Sequence, residues 1–432
     1  MSNRNSTILD VFEEQINALT PQLNGAANSA GYQARKLAFD TFKEHGFPTR
    51  KNEEYRYTPL GKALEESFAD FTTNPAIDYS KIKEKELPVF SGNTIVFING
   101  TYDETMSQLT EKNNLEIIIS KSQKDLIENA SLASGEEDAF SGLNLALATS
   151  GCQINVEKGA VIEESINIIH ITCAADGKVM ANCRHEVNIG ENAQAKITEI
   201  FLGSGDQAAF TNSVMEVSLA HHAILEHYKV GLDSDHELRI DNTRIQQQNN
   251  SVLHTVNVNF GGKMIRNNLN ITLNGEHCET NLDGLYMPVA KGTIDNHTVV
   301  DHRLPNSNSN ELYKGIIGKQ ATGVFNGKVF VRQDAQKTNA FQSNNNILLA
   351  DTATINTKPQ LEIWADDVKC THGCTTGQMD KEQLFYLRAR GIDKESAQKL
   401  LLKAFAEEVI EKIKDEVLRA RVAAILEEKL DS

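Results

Sequence analysis

The closest grouping of metal-binding side chains in the sequence is Cys370, His372 and Cys374, which occupy alternate positions. Two thiols and an imidazole are ligand types that suit zinc, iron or an iron–sulfur cluster. On a straight strand they would share one face with neighbouring ligands about 6.5–7 Å apart, whereas the ligands of one tetrahedral ion lie under about 4 Å apart. One strand therefore cannot complete a site, and either a bend at Gly373 or a partner chain must do so.

A simpler interpretation of the same residues is structural. Small thiols are among the most frequently buried side chains, and a buried histidine usually makes an ordinary hydrogen bond. On side-chain chemistry alone we favour this interpretation for the segment 370–374. We also expect the remaining cysteines to be buried as small apolar side chains: Cys152, Cys173, Cys183 and Cys278.

A second group of ionisable side chains consists of Asp295, His297, Asp301 and His302. Paired carboxylates on a β-solenoid suit polysaccharide cleavage, and two carboxylates with two imidazoles suit a metal ion. The residues that follow, 305–308, read Pro-Asn-Ser-Asn, which is typical of a turn. We therefore expect this group to lie in a solvated loop.

The composition excludes several classes of partner. Among 432 residues, 43 Lys and Arg stand against 59 Asp and Glu, a formal net charge of −16, so most of the surface repels polyphosphate and anionic lipid. We expect neither nucleic acid nor a membrane as a partner. Residues 1–15 carry acids and lack the apolar core of a secretory signal, and we expect a cytoplasmic protein.

The usual sequence signatures of nucleotide binding and hydrolysis are missing. The chain has no GxxxxGK[ST] run, no GxGxxG that opens a helix after a strand, no GxSxG and no HExxH. We therefore expect neither nucleotide binding, nor serine hydrolysis, nor zinc proteolysis from the chain itself. Any energy source or nucleophile is expected to come from a partner.

The elements that must position these residues change along the chain. Residues 34–42 carry apolar side chains at helical spacing, and Gly46 and Pro48 then end the helix. Near residue 90 the pattern changes to a short β-branched run at 94–98. Short strands punctuated by Gly, Asn and Asp continue from about 150 to 365. This pattern predicts a mainly β body, either a sandwich, a barrel or a parallel solenoid with irregular coils.

Helix signals return after Pro359. Asp380 is the expected N-cap of a short helix that ends before Gly391, and Asp393 is the expected N-cap of a longer helix. The longer helix carries an apolar stripe, which we expect to dock on another surface. Its members are Ala397, Leu401, Ala404, Phe405, Val409, Ile413 and Val417.

The segment 359–392 resembles the SufB and SufD family of iron–sulfur cluster assembly proteins. Two runs carry the resemblance, Pro-Gln-Leu-Glu-Ile-Trp-Ala-Asp-Asp-Val-Lys-Cys-Thr-His-Gly at 359–373 and Leu-Phe-Tyr-Leu-Arg-Ala-Arg-Gly-Ile at 384–392. The first run is similar to the Val-Lys-Cys-Ser/Thr-His-Gly run on the SufD side of that family. Supporting matches at 46–58, 96–100 and 326–346 extend the resemblance over nearly the whole chain.

The resemblance implies a right-handed parallel β-helix flanked by helical subdomains. We expect an N-terminal helical subdomain at residues 1–90, a β-helix core at 91–365 and a C-terminal helical subdomain at 366–432. It also implies a scaffold subunit that pairs with a SufB homologue, or with a second copy of itself where SufB is missing. Its C-terminal helices would hold the ABC-type ATPase SufC. The residues that fit this docking role are Leu384, Phe385, Arg390, Gly391, Leu401 and Phe405.

The resemblance further implies a role for His372, because the matching histidine of the family lies near the SufB–SufD interface and is implicated in iron handling or nascent cluster assembly. A partner chain would then supply the ligands that one strand cannot. Cys370 matches the family, whereas Cys374 stands where many members have Ala. We expect no firmly bound cofactor in the isolated chain, and a transient iron or iron–sulfur cluster shared with SufB.

Two alternatives remain at the level of sequence. The first is a β-helix enzyme that acts on a polysaccharide through Asp295 and Asp301. The second is a self-contained metalloprotein that holds its own ion through Cys370, His372 and Cys374.

Overall fold

A parallel β-solenoid lies at the centre of the structure, between helices from both ends of the chain. The computed structural model describes residues 7–19, 30–82, 91–110, 113–121, 126 and 138–431. The expected mainly β fold, a parallel β-helix with helical ends, is confirmed. The helices are α1 (Ile8–Leu19), α2 (Ala30–His45), α3 (Leu60–Phe68), α4 (Ala139–Leu147), α5 (Lys381–Ala389), α6 (Lys394–Ile410) and α7 (Glu416–Asp431).

The strands alternate between two sheets. They are β1 (Thr94–Ile98), β2 (Thr101–Tyr102), β3 (Leu115–Ser120), β4 (Ser150–Val156), β5 (Ile166–Ala174), β6 (Val179–Ile189), β7 (Gln194–Gly205), β8 (Ala209–Leu219), β9 (Ile224–Leu232), β10 (Glu237–Gln247), β11 (Val252–Phe260), β12 (Met264–Leu273), β13 (Glu279–Met287), β14 (Thr293–His302), β15 (Asn308–Ile317), β16 (Thr322–Val331), β17 (Asn339–Leu348), β18 (Thr354–Ile363) and β19 (Lys369–Gly377). One sheet has the order β19-β17-β15-β13-β11-β9-β7-β5-β1-β2 and the other β18-β16-β14-β12-β10-β8-β6-β4-β3. From β4 onward each pair of consecutive strands makes one coil, which gives about eight coils.

The coils differ in length, which explains why the sequence shows no fixed repeat. One column of register partners advances in steps of 27 to 31 residues through Gln194, Ile224, Val252, Glu279, Asn308, Asn339 and Lys369. Two residues before the first six of these partners the backbone takes a positive φ, so each of those coils makes the same kind of turn. The turn residues are Asn192, His222, Asn250, His277, Asn306 and Lys337.

Helices cover the outer faces of both sheets. The N-terminal helices α1 to α4 pack their apolar side chains against β6, β8 and β10, where Phe210 and Ile240 are fully buried. The C-terminal helices α6 and α7 pack against the other sheet, where Val258 and Leu285 are fully buried. No helix among the described residues is long and apolar enough to cross a bilayer. The expected boundaries near residues 90 and 365 stay predictions; the first strand begins at Thr94 and the last ends at Gly377.

The apolar stripe of α6 docks on the chain's own solenoid, and its membership differs in part from the expected one. Ala397 and Val409 are buried as expected, whereas Ala404 is exposed. The expected helix through Val417 is wrong, because α6 ends at Ile410; Ile413 lies beyond it and is buried, and Val417 is an exposed residue of α7. Repeated steps of four residues drift by about 40° each around a helix of 3.6 residues per turn, so the true contact face mixes steps of three and four. The buried face is completed by Leu402, Ala406 and Ile410.

Candidate functional site

The two ends of the solenoid are finished differently. At the N-terminal end the outermost strands are the two-residue β2 and the six-residue β3, which pair antiparallel with β1 and β4. At the other end the outermost strands are β18 and β19, of ten and nine residues, which pair in parallel with β16 and β17. We call β18 and β19 together the open coil. Each has a strand neighbour on one side only among the described residues, so its free edge presents unpaired N–H and C=O groups.

The open coil carries all three candidate metal ligands. In the register of β17 and β19, Cys370 lies beside Ala340, His372 beside Gln342 and Cys374 beside Asn344. Register partners in a parallel sheet point to the same face, and the three β17 partners are buried inside the solenoid. Among the described residues no further coil covers β19, so the equivalent positions of β19 lie at the open end.

Exposure decides between the two interpretations of these residues. His372 and Cys374 are exposed and Cys370 is partly buried, so the thiols do not jointly fill a core. The structural interpretation favoured from side-chain chemistry is therefore wrong for Cys374. Cys370 alone packs on a small apolar cluster that contains Val329 and Ala340, and its partial burial raises the pKa of the thiol.

The geometric argument for an incomplete site holds. Within the part of the chain that the structure describes, Cys370, His372 and Cys374 are not a group whose ligand atoms all lie within 4.8 Å of one another. A tetrahedral ion needs its ligand atoms under about 4 Å apart. The three side chains of the open coil therefore cannot bind one ion together without rearrangement. Each can instead contribute one ligand to a site that a group from outside the chain completes.

An aromatic stack that sequence reasoning missed lies next to the open coil. Trp364, which is 50% exposed, follows β18 and stacks on Phe330 with ring centroids 6.3 Å apart and an interplanar angle of 11°. The guanidinium of Arg332 lies 5.2 Å from the Trp364 ring and donates to Asp301 over 2.7 Å. A detectable signal was the presence of the chain's single tryptophan inside the segment 359–373. The stack adds exposed apolar surface beside the ligands.

The second group of ionisable residues lies on a buried strand. The prediction that this group lies in a solvated loop is therefore wrong. Asp295 on β14 is almost fully buried, accepts a hydrogen bond from Thr58 and forms ion pairs with Arg266 at 3.0 Å and His297 at 3.0 Å. Asp301 lies six residues further along the same strand, about 20 Å away. The structure therefore does not bring these two carboxylates together as a glycosidase pair, whose carboxyl groups lie within about 9.5 Å.

The Asp295 group instead fastens the N-terminal segment to the solenoid. Glu54 pairs with Nδ1 of His297 at 3.2 Å and with Lys328, and these contacts lower the pKa of Glu54 to about 2. Arg266 lies 3.9 Å from the centre of the Tyr55 ring. Segment 53–58, which carries part of the family resemblance, is thus held across the outer face of β12, β14 and β16.

The helix α5 presents a second exposed surface. Asp380 caps it as expected, accepting from the backbone N–H of Glu382 at 2.8 Å, and no residue of the helix is buried. Phe385 is 74% exposed and Tyr386 is 57% exposed. Together with Leu401 of α6 they line a shallow groove.

The remaining docking candidates lie in two different environments. Arg390 and Gly391 are exposed at the end of α5, with the Arg390 guanidinium 5.0 Å from the Tyr386 ring, and Leu384 is half-buried. Phe405 belongs to the contact between α6 and the solenoid, because Nζ of Lys314 lies 4.4 Å from its ring centre and donates to its carbonyl oxygen over 3.0 Å. All of them stay predictions as docking residues.

The sequence is similar to one family over almost its whole length. Residues 2–168 match the family described as SufBD protein N-terminal region, and residues 170–405 match the one described as SUF system FeS cluster assembly, SufBD core domain. The iron–sulfur cluster assembly protein SufD of Escherichia coli strain K12 is 33% identical over 390 residues, which cover 89% of this chain and 90% of that protein. An iron–sulfur cluster assembly SufBD family protein of Synechocystis is 30% identical over 430 residues, covering 95% and 94% respectively. Protein ABCI7 of Arabidopsis thaliana, a chloroplastic protein, is 34% identical over 291 residues, covering 65% and 61%.

The accessibility of the open coil predicts an order of thiol reactivity. We expect Cys374 to react first with iodoacetamide, because it is the exposed cysteine, and Cys370 to follow more slowly, because its partial burial disfavours the reactive thiolate. The other four cysteines should react only when the protein unfolds. Timed labelling followed by peptide mass spectrometry measures this order.

The control variant Cys374→Ser should lack the fastest phase and keep all slower ones. Early labelling of any other cysteine in the folded protein would show that the solenoid interior is accessible. It would contradict the prediction that only the two cysteines of the open coil react before unfolding.

Proposed function

The chain belongs to the SufBD family of the SUF iron–sulfur cluster assembly system, and we propose that it is a cytoplasmic, non-catalytic scaffold subunit of the SufD type. In this proposal it pairs with a SufB homologue, anchors the ATPase SufC and takes part in iron acquisition and nascent cluster assembly. The observation that carries the proposal is the open coil, which combines an unpaired sheet edge with metal ligands that one chain cannot complete.

The unpaired edge supports pairing with a second β-helix. A long exposed edge strand is a template for another chain, because main-chain hydrogen bonds extend the sheet while neighbouring side chains give specificity. Exposed apolar side chains border this edge on both sheets, at Phe341, Ile363 and Trp364. A SufB homologue would continue both sheets, and a second copy of this chain would take its place where SufB is missing.

The ligands of the open coil support a site shared across that interface. His372 and Cys374 are exposed on the strand that would meet the partner. A transient iron ion or nascent cluster is the cargo of such a site, with thiolates and carboxylates of the partner filling the remaining positions. A shared site of this kind would bind metal only in the assembled complex.

The helix α5 supports the attachment of SufC. An apolar patch rimmed by polar residues marks a protein interaction site, and Phe385 and Tyr386 form such a patch on a helix in which no residue is fully buried. The following helices α6 and α7 are fixed to the solenoid through their own apolar faces. Motion of SufC would therefore reach the β-helix through rigid elements.

The substitution His372→Ala tests the shared site. We expect the variant to co-elute with SufB and SufC homologues as the native chain does, because the His372 side chain is exposed and makes no hydrogen bond or ion pair with the described residues. Transfer of a cluster from the complex to an apo acceptor should fall at least about tenfold, the loss that follows even from removal of an outer-shell partner of a metal site. Subunit and iron quantitation of the eluted complex measures assembly, and a transfer assay measures cluster delivery to the acceptor.

The matched control is His221→Ala, which removes an exposed histidine in the turn between β8 and β9. It should change neither quantity. Two results would contradict the role assigned to His372. One is cluster transfer by the His372→Ala complex at the rate of the native complex, and the other is failure of the variant to assemble with SufB and SufC.

The substitution Phe385→Asp tests the SufC surface. We expect it to weaken SufC binding at least about tenfold, since aromatic anchors dominate interface energies, while the fold and the SufB contact stay intact. Titration of SufC into the native and variant complexes measures the affinity. Leu37→Asp, which places the same charge on an equally exposed apolar position of α2, is the matched control; equal SufC affinity in the Phe385→Asp and Leu37→Asp variants would exclude this surface.

A further inference from the structure

A group of metal-ligating side chains lies inside the first coils of the solenoid, at the opposite end from the open coil. His170 on β5 faces Cys183 and His185 on β6, so the two sheets contribute to one cluster. One ligand atom from each of the three residues lies within 4.8 Å of the other two. All three side chains are buried.

Two ring nitrogens of this cluster lack the partners that buried polar atoms normally have. Nε2 of His170 and Nε2 of His185 make no hydrogen bond within the described structure. Nε2 of His170 lies 3.2 Å from Oε1 of Glu199, and Nζ of Lys229 lies 3.2 Å from Oε2 of Glu199, both ion-pair distances, but neither carboxylate oxygen has a hydrogen-bond partner within the described structure. Buried polar groups are nearly always satisfied, and those that are not require an explanation such as an ion.

The surroundings hold the two imidazoles in place. The His170 ring is stacked on Phe201 at 4.5 Å and on Phe97 at 5.8 Å, with interplanar angles of 8° and 20°. Nδ1 of His185 lies 3.2 Å from both the backbone nitrogen and Sγ of Cys152, its register partner on β4. The ring atom of His185 that remains for a ligand is Nε2, the atom without a partner.

We propose that His170, Cys183 and His185 bind one transition-metal ion in the interior of the first coils. The ion would be one that prefers tetrahedral coordination, such as Zn²⁺. Two imidazoles and a thiolate are ligands that this class of ion prefers. Ligand atoms within 4.8 Å need to close only slightly to reach tetrahedral spacing. The ion would tie β5 of one sheet to β6 of the other.

Binding changes the protonation of the cluster. Burial raises the pKa of the Cys183 thiol well above its ordinary value, so without an ion the sulfur carries a proton. Binding of M²⁺ forms the metal–sulfur bond and releases that proton to solvent. In the metal-free chain Nδ1 of His185 accepts from the backbone N–H of Cys152, so the ring proton lies on Nε2. With the ion on Nε2, that proton moves to Nδ1, which then donates to Sγ of Cys152 in place of accepting from the backbone, the second contact that orients a metal-bound imidazole.

This site is independent of the proposed scaffold function. Its metal ion would enter by a different route from an ion bound at the open coil. The cluster is enclosed by the solenoid and its covering helices, so we expect the ion to enter during folding rather than to exchange into the folded chain. The open-coil ligands, in contrast, are accessible in the folded protein.

Refolding of the full chain with Co²⁺ tests the proposal, because Co²⁺ replaces Zn²⁺ and reports its ligands spectroscopically. We expect one bound Co²⁺ per chain, with a thiolate-to-cobalt charge-transfer band and the visible bands of a tetrahedral ion. The same signature should appear in the triple variant Cys370→Ser, His372→Ala, Cys374→Ser, which has no ligands on the open coil. It should be lost in Cys183→Ser and in His170→Gln.

Two controls keep the test decisive. Cys278→Ser, which alters a buried cysteine in a later coil, should retain the signature, and circular dichroism should show that Cys183→Ser and His170→Gln keep the native β content. Absence of bound Co²⁺ in the native chain would overturn the proposal. So would a signature that survives Cys183→Ser or that disappears with the open-coil ligands.

Discussion

The structure depends on two continuous parallel hydrogen-bonded ladders, which have to begin and end somewhere. A parallel sheet satisfies the backbone groups of each strand through its neighbours, so every coil is secured by the next one and only the terminal coils have free edges. This protein shortens the edge at one end to the two residues of β2 in one sheet and the six residues of β3 in the other. It leaves the other end as a full coil of two long strands that carries Cys370, His372 and Cys374. Under the proposed function, that asymmetry makes the open coil the end of the solenoid that a partner would complete.

The interior of the solenoid is unusually polar, and its charges are paired. Arg239, which is fully buried, donates to Asp233 over 2.9 Å and also pairs with Asp241, while Lys229 pairs with Glu199 at 3.2 Å. Removing one member of a buried pair is costly because the other charge is left uncompensated. Such contacts fix the register of neighbouring coils and make the solenoid rigid. A rigid body would suit the proposed scaffold, which has to present one sheet edge and one docking helix at a fixed separation.

Local patterns in the sequence predicted the local structure well. The strand at 94–98, the helix that ends before Gly46 and the N-caps Asp380 and Asp393 were all read correctly, because each depends on neighbouring residues. The parallel solenoid itself came from the family resemblance, since coils of unequal length give no fixed period. The recurring turns give no sequence signature either, because their positive-φ residues are of three different types, Asn, His and Lys.

What sequence reasoning missed was created by long-range contacts. Turn residues after Asp301 suggested a loop at 295–302, but the N-terminal segment covers that strand and buries it. The cluster of His170, Cys183 and His185 depends on the pairing of two sheets, although Cys183 and His185 have the same two-residue spacing as Cys370 and His372. That spacing was the available signal, and in both places one strand supplied only part of a ligand set.

The most direct test of the central claim is hydrogen–deuterium exchange of the chain, at a concentration where it is monomeric, with and without a SufB homologue. The account predicts that SufB slows exchange of the backbone amides of 369–377 and 354–363, while amides of the inner coils exchange as before. SufC alone should leave those two segments unchanged. Protection that appears elsewhere on the solenoid, with 354–377 still exchanging freely in a stable complex, would contradict the claim that the open coil is the edge that a partner completes.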